Sequence, residues 1–237
     1  MSVTTSLKNI SARMGYSVER IAKKPSHSLM GLRRFDFSTV FDVGANRGQF
    51  LEDMLPNFPN ATFHCFEPTA IAFGKLCEAS RLFKNVIPIQ LALGDKTAEI
   101  ELNLHPEHDV SSSLLATTKR NAELYPLIGT QKKVTVKVER LDDYVEKFQT
   151  LLKGNIFMKL DVQGHEAAVL RGAERTLTMT TACLVEVLVD QLYVGQSRFV
   201  EIVNLMDRAG LVYSGNFEQA YDVDGRVIFL DALFIRP

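Results

Sequence analysis

The sequence predicts an α/β fold on a mostly parallel sheet, and three observations carry that prediction. From Ser38 onward, short apolar β-type runs alternate with helical stretches, which implies right-handed crossovers and a sheet covered on both faces. The first run passes through a glycine-bearing turn into a helix start, "VFDVGANRGQF" (40–50), where Gly44 and Gly48 leave room for close backbone approach. The last two β-runs have no helix between them, so the final strand is expected to run antiparallel.

The elements follow in chain order. Residues 1–36 read as a basic amphipathic extension. Leu7, Ile10, Met14, Val18 and Ile21 recur at three- and four-residue steps, and Pro25 ends the helix. Lys8, Arg13, Arg20, Lys23, Lys24, Arg33 and Arg34 face only Glu19 and Asp36. Such a helix packs across the domain behind it, or touches a partner, a second copy or an anionic surface. Residues 37–237 read as one domain, with no repeat, low-complexity tract or linker. "TVFDV" (39–43) is a buried strand and Gly48 to Leu55 a helix. "ATFHCFEP" (61–68) is a second strand, followed by a helix over about 70–83. "NVIPIQLALG" (85–94) is a third strand. "AEIELNL" (98–104) and "KVTVKVERL" (133–141) alternate as half-exposed strands do. "NIFMKLDV" (155–162) and "CLVEVLV" (183–189) are buried strands separated by one helix, "HEAAVLRGAERTL". A helix over about 196–209 ends at Gly210. "LVYSGN" and "RVIFLDALFIRP" then close the chain.

Composition narrows the function. The 27 basic and 28 acidic residues nearly cancel, which weighs against a nucleic-acid binder. Three cysteines without a CxxC pair exclude a zinc framework or a disulfide scaffold and suit reduced, buried thiols. The most apolar window, "ACLVEVLV" (182–189), is too short to span a membrane and carries Glu186. Residues 1–25 lack an apolar signal-peptide core, so a cytoplasmic enzyme without a transmembrane segment is expected.

The glycine turn identifies the ligand class. A dinucleotide turn has the form G-x-G-x-x-G, but Gly44-Ala-Asn-Arg-Gly48 lacks the glycine that admits a pyrophosphate. No Gly-Lys-Ser/Thr follows, which excludes a P-loop. A nucleoside with an amino-acid tail suits the turn instead. Glu67 lies 25 positions after Asp42 (67 − 42), at the end of the second strand, where an acidic residue takes both ribose hydroxyls. Asp42 is placed to receive the ammonium of the tail. S-adenosylmethionine is the ligand that fits.

These residues resemble the FkbM family of S-adenosylmethionine-dependent methyltransferases. The resemblance rests on "DVGANRGQF" (42–50), "FEP" (66–68), "LALGD" (91–95), "SSL" (112–114), "LDDY" (141–144), "MKLDVQGHEAAVLRGA" (158–173) and "VEV" (185–187), in that order. It implies a Rossmann-like class I methyltransferase fold, with seven strands, the last antiparallel, and helices on both faces. It also implies O-methyl transfer to a sugar, glycosylated metabolite or polysaccharide. A non-sugar small molecule, a protein side chain, and a non-catalytic S-adenosylmethionine-binding module are the alternatives. The cofactor set it suggests is Asp42, Gly44, Ala45, Asn46, Gly48, Phe50, Glu67, Pro68, Ala92, Leu93, Gly94, Ser113 and Asp161.

An aliphatic hydroxyl is a poor nucleophile and needs help to lose its proton. "KLDVQGHE" supplies Asp161 at a strand end, and His165 and Glu166 at the helix start, while Glu186 sits in the next strand. A lone carboxylate inside an apolar strand is costly, which favours a role for Glu186. Asp161, His165, Glu166 and Glu186 are therefore the catalytic candidates. Two mechanisms stay open: a divalent cation held by the carboxylates, or His165 as the base, which is preferred. The segment 105–130 carries Ser112 and Ser113 toward the acceptor or cofactor. Its "HPEH" (105–108) is too sparse for a metal centre, and Asp142 of "RLDDY" is expected to cap its own helix.

Overall fold

The computed structural model describes residues 30–106, 109–129, 131–147, 152 and 154–237. The expected N-terminal helix, ended by Pro25, lies outside the described residues, which begin with a 3₁₀ turn, Met30–Phe35, that buries Leu32.

Five strands of the main sheet are parallel neighbours. These are β1 (Phe37–Val43), β2 (Thr62–Phe66), β3 (Val86–Ile89), β7 (Asn155–Leu160) and β8 (Thr180–Leu188). β9 (Val212–Tyr221) and β10 (Val227–Ile235) complete seven strands in the order β3-β2-β1-β7-β8-β10-β9, with β10 antiparallel to both neighbours. The chain runs outward from β1 to β3 and resumes on the other side at β7. The β1–β7 boundary is thus the switch point, where an open α/β sheet leaves a crevice at its carboxyl edge.

Both faces of the sheet are covered, as the continuous apolar runs require. Phe41, Val43, Met158, Leu160, Val185 and Val187 enter one core with α4 (Leu141–Lys147), α5 (Glu166–Arg171), α6 (Glu174–Met179) and α7 (Phe199–Arg208). Val40, Phe157, Ala182 and Leu184 enter the other with α1 (Gln49–Met54) and α2 (Ala70–Ser80). Each fully buried Leu or Phe contributes about 1.5–3 kcal/mol.

Three expectations need correction. The third β-run is two strands: β3 stays in the main sheet, and β4 (Ala92–Leu93) joins a second sheet of order β4-β6-β5. In that sheet β5 (Ala98–Leu104) and β6 (Lys132–Glu139) are antiparallel, and their alternation is the half-exposed pattern expected. The helix after Asp161 is likewise two short helices, α5 and α6, broken at Gly172. A Cβ there would stand 1.9 Å from the Gly94 carbonyl oxygen, so the break lets β4 and α5 touch by backbone. Asp142 lies inside α4 and does not cap it. Its carboxylate accepts from the amides of Arg175 and Thr176 at 2.9 and 2.8 Å, satisfying the first turn of α6 instead.

Candidate active site

The turn after β1 is held from two sides. Gly44 and Ala45 donate their amides to Phe66 O at 3.0 and 2.9 Å, and Asp161 donates its amide to Val43 O at 3.0 Å. Gly44 has φ +81°, and a Cβ on it would stand 1.9 Å from Asp161 O. The backbone that this glycine approaches is therefore the end of β7. Asn46 is left-handed at φ +47° and donates its amide to Glu67 Oε2 at 3.1 Å. The other Glu67 oxygen accepts from the Thr69 amide, 2.8 Å away, and from the Thr69 hydroxyl. These bonds fix Glu67 at the end of β2, facing the turn.

Between them opens a cleft of about 300 Å³. Of the predicted cofactor residues, Gly44, Ala45, Asn46, Phe50, Glu67, Pro68, Ala92, Leu93, Ser113 and Asp161 line it. Three do not. Gly48 precedes α1 and packs toward Leu76, and Gly94 lies against Gly172. Asp42 is fully buried below the floor, where burial raises its pKa against the opposing pull of Lys159. A side chain one residue before the strand end points beneath the crevice rather than into it.

Lys159 is the site residue that the sequence reading missed. It lines the cleft on β7, with Nζ 3.6 Å from Asp42 Oδ1, 3.2 Å from Asp161 Oδ2 and 3.4 Å from Gly44 O. Its ammonium also lies 5.5 Å from the Phe50 ring centroid, a cation–π contact. Burial opposes this charge, but Asp161 and Asp42 outweigh it and raise the pKa. A charge inside an apolar strand, the feature that marks Glu186, marks Lys159 equally in "IFMKLD".

Asp161 and Glu186 do come together, through an amide. Gln163 Nε2 donates to Asp161 Oδ1 at 2.8 Å and to Glu186 Oε2 at 2.7 Å, and Gln163 Oε1 lies 2.9 Å from the Tyr193 hydroxyl. Burial alone would raise the Asp161 pKa, but Lys159 and the Gln163 hydrogen bond hold it below the ordinary carboxylate range. Burial, then the Asp161 charge, push Glu186 well above that range. Ionised Asp161 thus sits beside neutral Glu186, which resolves the repulsion of two close carboxylates with a proton. Asp161 and Gln163 also line a smaller cavity of about 200 Å³ that includes Glu186.

Two catalytic candidates stand elsewhere. Glu166 lines neither cavity. Its Oε1 accepts from the amides of Val162 and Gly164 at 3.2 and 2.9 Å, tying down the loop before its own helix. Burial raises its pKa to about 7. His165 lines the cleft but on the wall beside Gly94, where its charged neighbours are Asp95, Arg171 and Lys96. Burial lowers its pKa, so the ring is neutral, and neither Asp161 nor Glu186 is among those charged neighbours. Ser112 accepts the His105 amide at 3.2 Å. The Ser113 hydroxyl donates to Gln163 O at 2.7 Å, which couples the inserted segment to the loop after β7. Residues 107 and 108 of "HPEH" lie outside the described residues.

Comparison with known proteins agrees with this architecture. Residues 42–213 match the family described as methyltransferase FkbM domain. "Methyltransferase 1" of Beauveria bassiana is 30% identical over 149 residues, covering 59% of this chain and 59% of that protein. The chain therefore spans less than two thirds of that relative's length. "2-O-methyltransferase NoeI" of Sinorhizobium fredii is 28% identical over 181 residues, covering 73% of this chain and 72% of the relative. The crystal structure of methyltransferase FkbM from Methylobacillus flagellatus superposes with a TM-score of 0.52 at 14% identity. It covers 84% of this chain and 44% of that one, a likeness of fold.

Proposed function

Because the chain belongs to the methyltransferase FkbM domain family, we propose that it transfers a methyl group from S-adenosylmethionine to a hydroxyl of a sugar or glycosylated metabolite. One observation carries this reading: an ordered Lys159–Asp161 ion pair on the cleft floor, next to the glycine turn and across from Glu67. The cofactor's tail is a zwitterion, with one carboxylate and one ammonium, and this pair offers it one charge of each sign. Asn46 supports the fit, since its buried Oδ1 lines the cleft wall without a hydrogen-bond donor among the described residues. Glu67 would take the ribose hydroxyls, and Pro68, Leu91, Ala92 and Leu93, which line the cleft, would give the base an apolar slot. The name of the relative NoeI, a 2-O-methyltransferase, supports oxygen as the acceptor atom.

When bound, the cofactor supplies a sulfonium-activated methyl group. This chain's residues supply positioning and a place for the proton. Positioning alone accounts for a large part of the barrier in such in-line transfers. Asp161 lines both cavities, so a hydroxyl held between them donates its hydrogen bond to the Asp161 carboxylate. The proton that this hydroxyl must lose on methylation would pass to the Asp161 carboxylate. Lys159 and Gln163 hold that carboxylate ionised and oriented, while neutral Glu186 adds no second charge. Asp161 thus takes the base role first expected of His165, which the fold puts by Gly94. Mass spectrometry of cell glycans and metabolites with and without the gene tests the acceptor class: deletion should leave a glycan or glycoside lighter by one methylene.

A further inference from the structure

The smaller cavity is not used up by this chemistry. It opens from the cleft across Val110, Asp161 and Gln163, and its far wall comes from α3 (Lys119–Leu124) in the segment between β5 and β6. Asn121 stands on that wall, 1% exposed; its amide nitrogen has the Tyr193 hydroxyl oxygen beside it, but its amide oxygen has no hydrogen-bond partner among the described residues. The Tyr193 hydroxyl donates toward Ser111 O and Gln163 Oε1, each 2.9 Å away, so it can meet the donor end of Asn121 but not its acceptor oxygen. Buried amide oxygens are nearly always bonded, so one left unused on a cavity wall needs a reason.

The helix does not let Asn121 swing away. Its backbone N–H donates to the N-cap hydroxyl oxygen of Thr118 at 3.2 Å, and the Tyr125 N–H donates to its backbone carbonyl at 2.9 Å. The adjacent Arg120 is clamped between Asp190 and Asp222 at 2.7 Å each. Its side-chain amide offers an acceptor oxygen and an N–H toward a space that leads to Asp161, with Phe229 as an apolar wall.

We propose that this cavity is the acceptor subsite, and that Asn121 reads a second hydroxyl on the carbon next to the methylated one. The substrate class is then a ring bearing a vicinal diol. This rests on the transfer reading above and assigns specificity to the inserted segment.

Saturation-transfer NMR on the full chain loaded with S-adenosylhomocysteine tests it. Methyl glucopyranoside and vicinal cyclohexanediol should give signals about tenfold above that of cyclohexanol, the usual scale for one unmet hydrogen bond. Asn121→Leu should bring the diol down to the cyclohexanol level, with unchanged S-adenosylhomocysteine affinity by calorimetry. Equal signals from diol and cyclohexanol in the natural protein, zero included, overturn the proposal. So does an undiminished diol signal in Asn121→Leu or, should that variant not fold, in Asn121→Asp. Failure of the natural protein to bind S-adenosylhomocysteine would instead overturn the transfer reading beneath it.

Discussion

A Cβ placed on Gly44 would stand 1.9 Å from the carbonyl oxygen of Asp161, so the first turn and the end of β7 interlock by backbone. The residue that shapes the cofactor turn therefore also sets the position of the acceptor carboxylate. Gly44→Ala should fail on both counts, since its φ of +81° adds strain to the clash. We expect a loss of about 2 kcal/mol or more in urea unfolding, together with loss of S-adenosylhomocysteine binding. A variant that binds normally would show that the two loops are not coupled.

Lys159→Met leaves Asp42 and Asp161 without their shared cation. Removing one partner from a buried charge cluster costs about 3–5 kcal/mol. Thermal and urea denaturation should show a loss of that order, with weaker cofactor binding. A stable variant with unchanged affinity would remove Lys159 from the site.

Glu67 already serves Asn46 and Thr69, so truncation to Ala would disturb the turn as well as the ribose contact. Glu67→Gln keeps the size and one carbonyl oxygen. Calorimetry should find S-adenosylhomocysteine binding weakened about tenfold, the cost of losing a charge-assisted pair, with little change in melting temperature.

Glu166 gives a pH signature distinct from catalysis. Its pKa in the fold is about 7, raised from 4.5 by burial, so the folded state holds its proton more tightly than the unfolded one. The associated stability is fully present below about 4.5 and is lost as pH rises through about 7. Glu166→Gln keeps an acceptor for the Val162 and Gly164 amides and has no such dependence. Its stability relative to the natural protein should rise by up to about 3 kcal/mol between those limits, at about 1.4 kcal/mol per pH unit. Activity near neutral pH should persist. An inactive, well-folded Glu166→Gln would restore the catalytic assignment.

The sheet was legible because its strands are buried on both faces and show as unbroken apolar runs between glycine turns. The change of sheet near Gln90 was not, since "NVIPIQLALG" keeps one apolar texture while its hydrogen-bond partners change. Nor was the break at Gly172, whose cause, Gly94, lies far away in sequence. At the site, Glu67 and Asp161 could be read from their places at strand ends. Asp42 could not, because one residue's difference along a strand turns a side chain from the crevice to the core. His165 and Glu166 share a helix start, and only the three-dimensional path of that turn sends one to the Gly94 wall and the other back to the loop amides.

A cofactor-loaded cleft should deliver a methyl group to a hydroxyl held at Asp161. Transfer of labelled methyl from S-adenosylmethionine into a cell glycan and metabolite extract tests it most directly, with three proteins compared. The natural protein should place the label in an ether-linked methyl group. Asp161→Asn should bind S-adenosylhomocysteine more weakly and, even at saturating cofactor, lose transfer by about 10²-fold or more, the usual scale for a lost base, while His165→Ala stays within severalfold. Full activity in Asp161→Asn, with transfer abolished in His165→Ala, would contradict it.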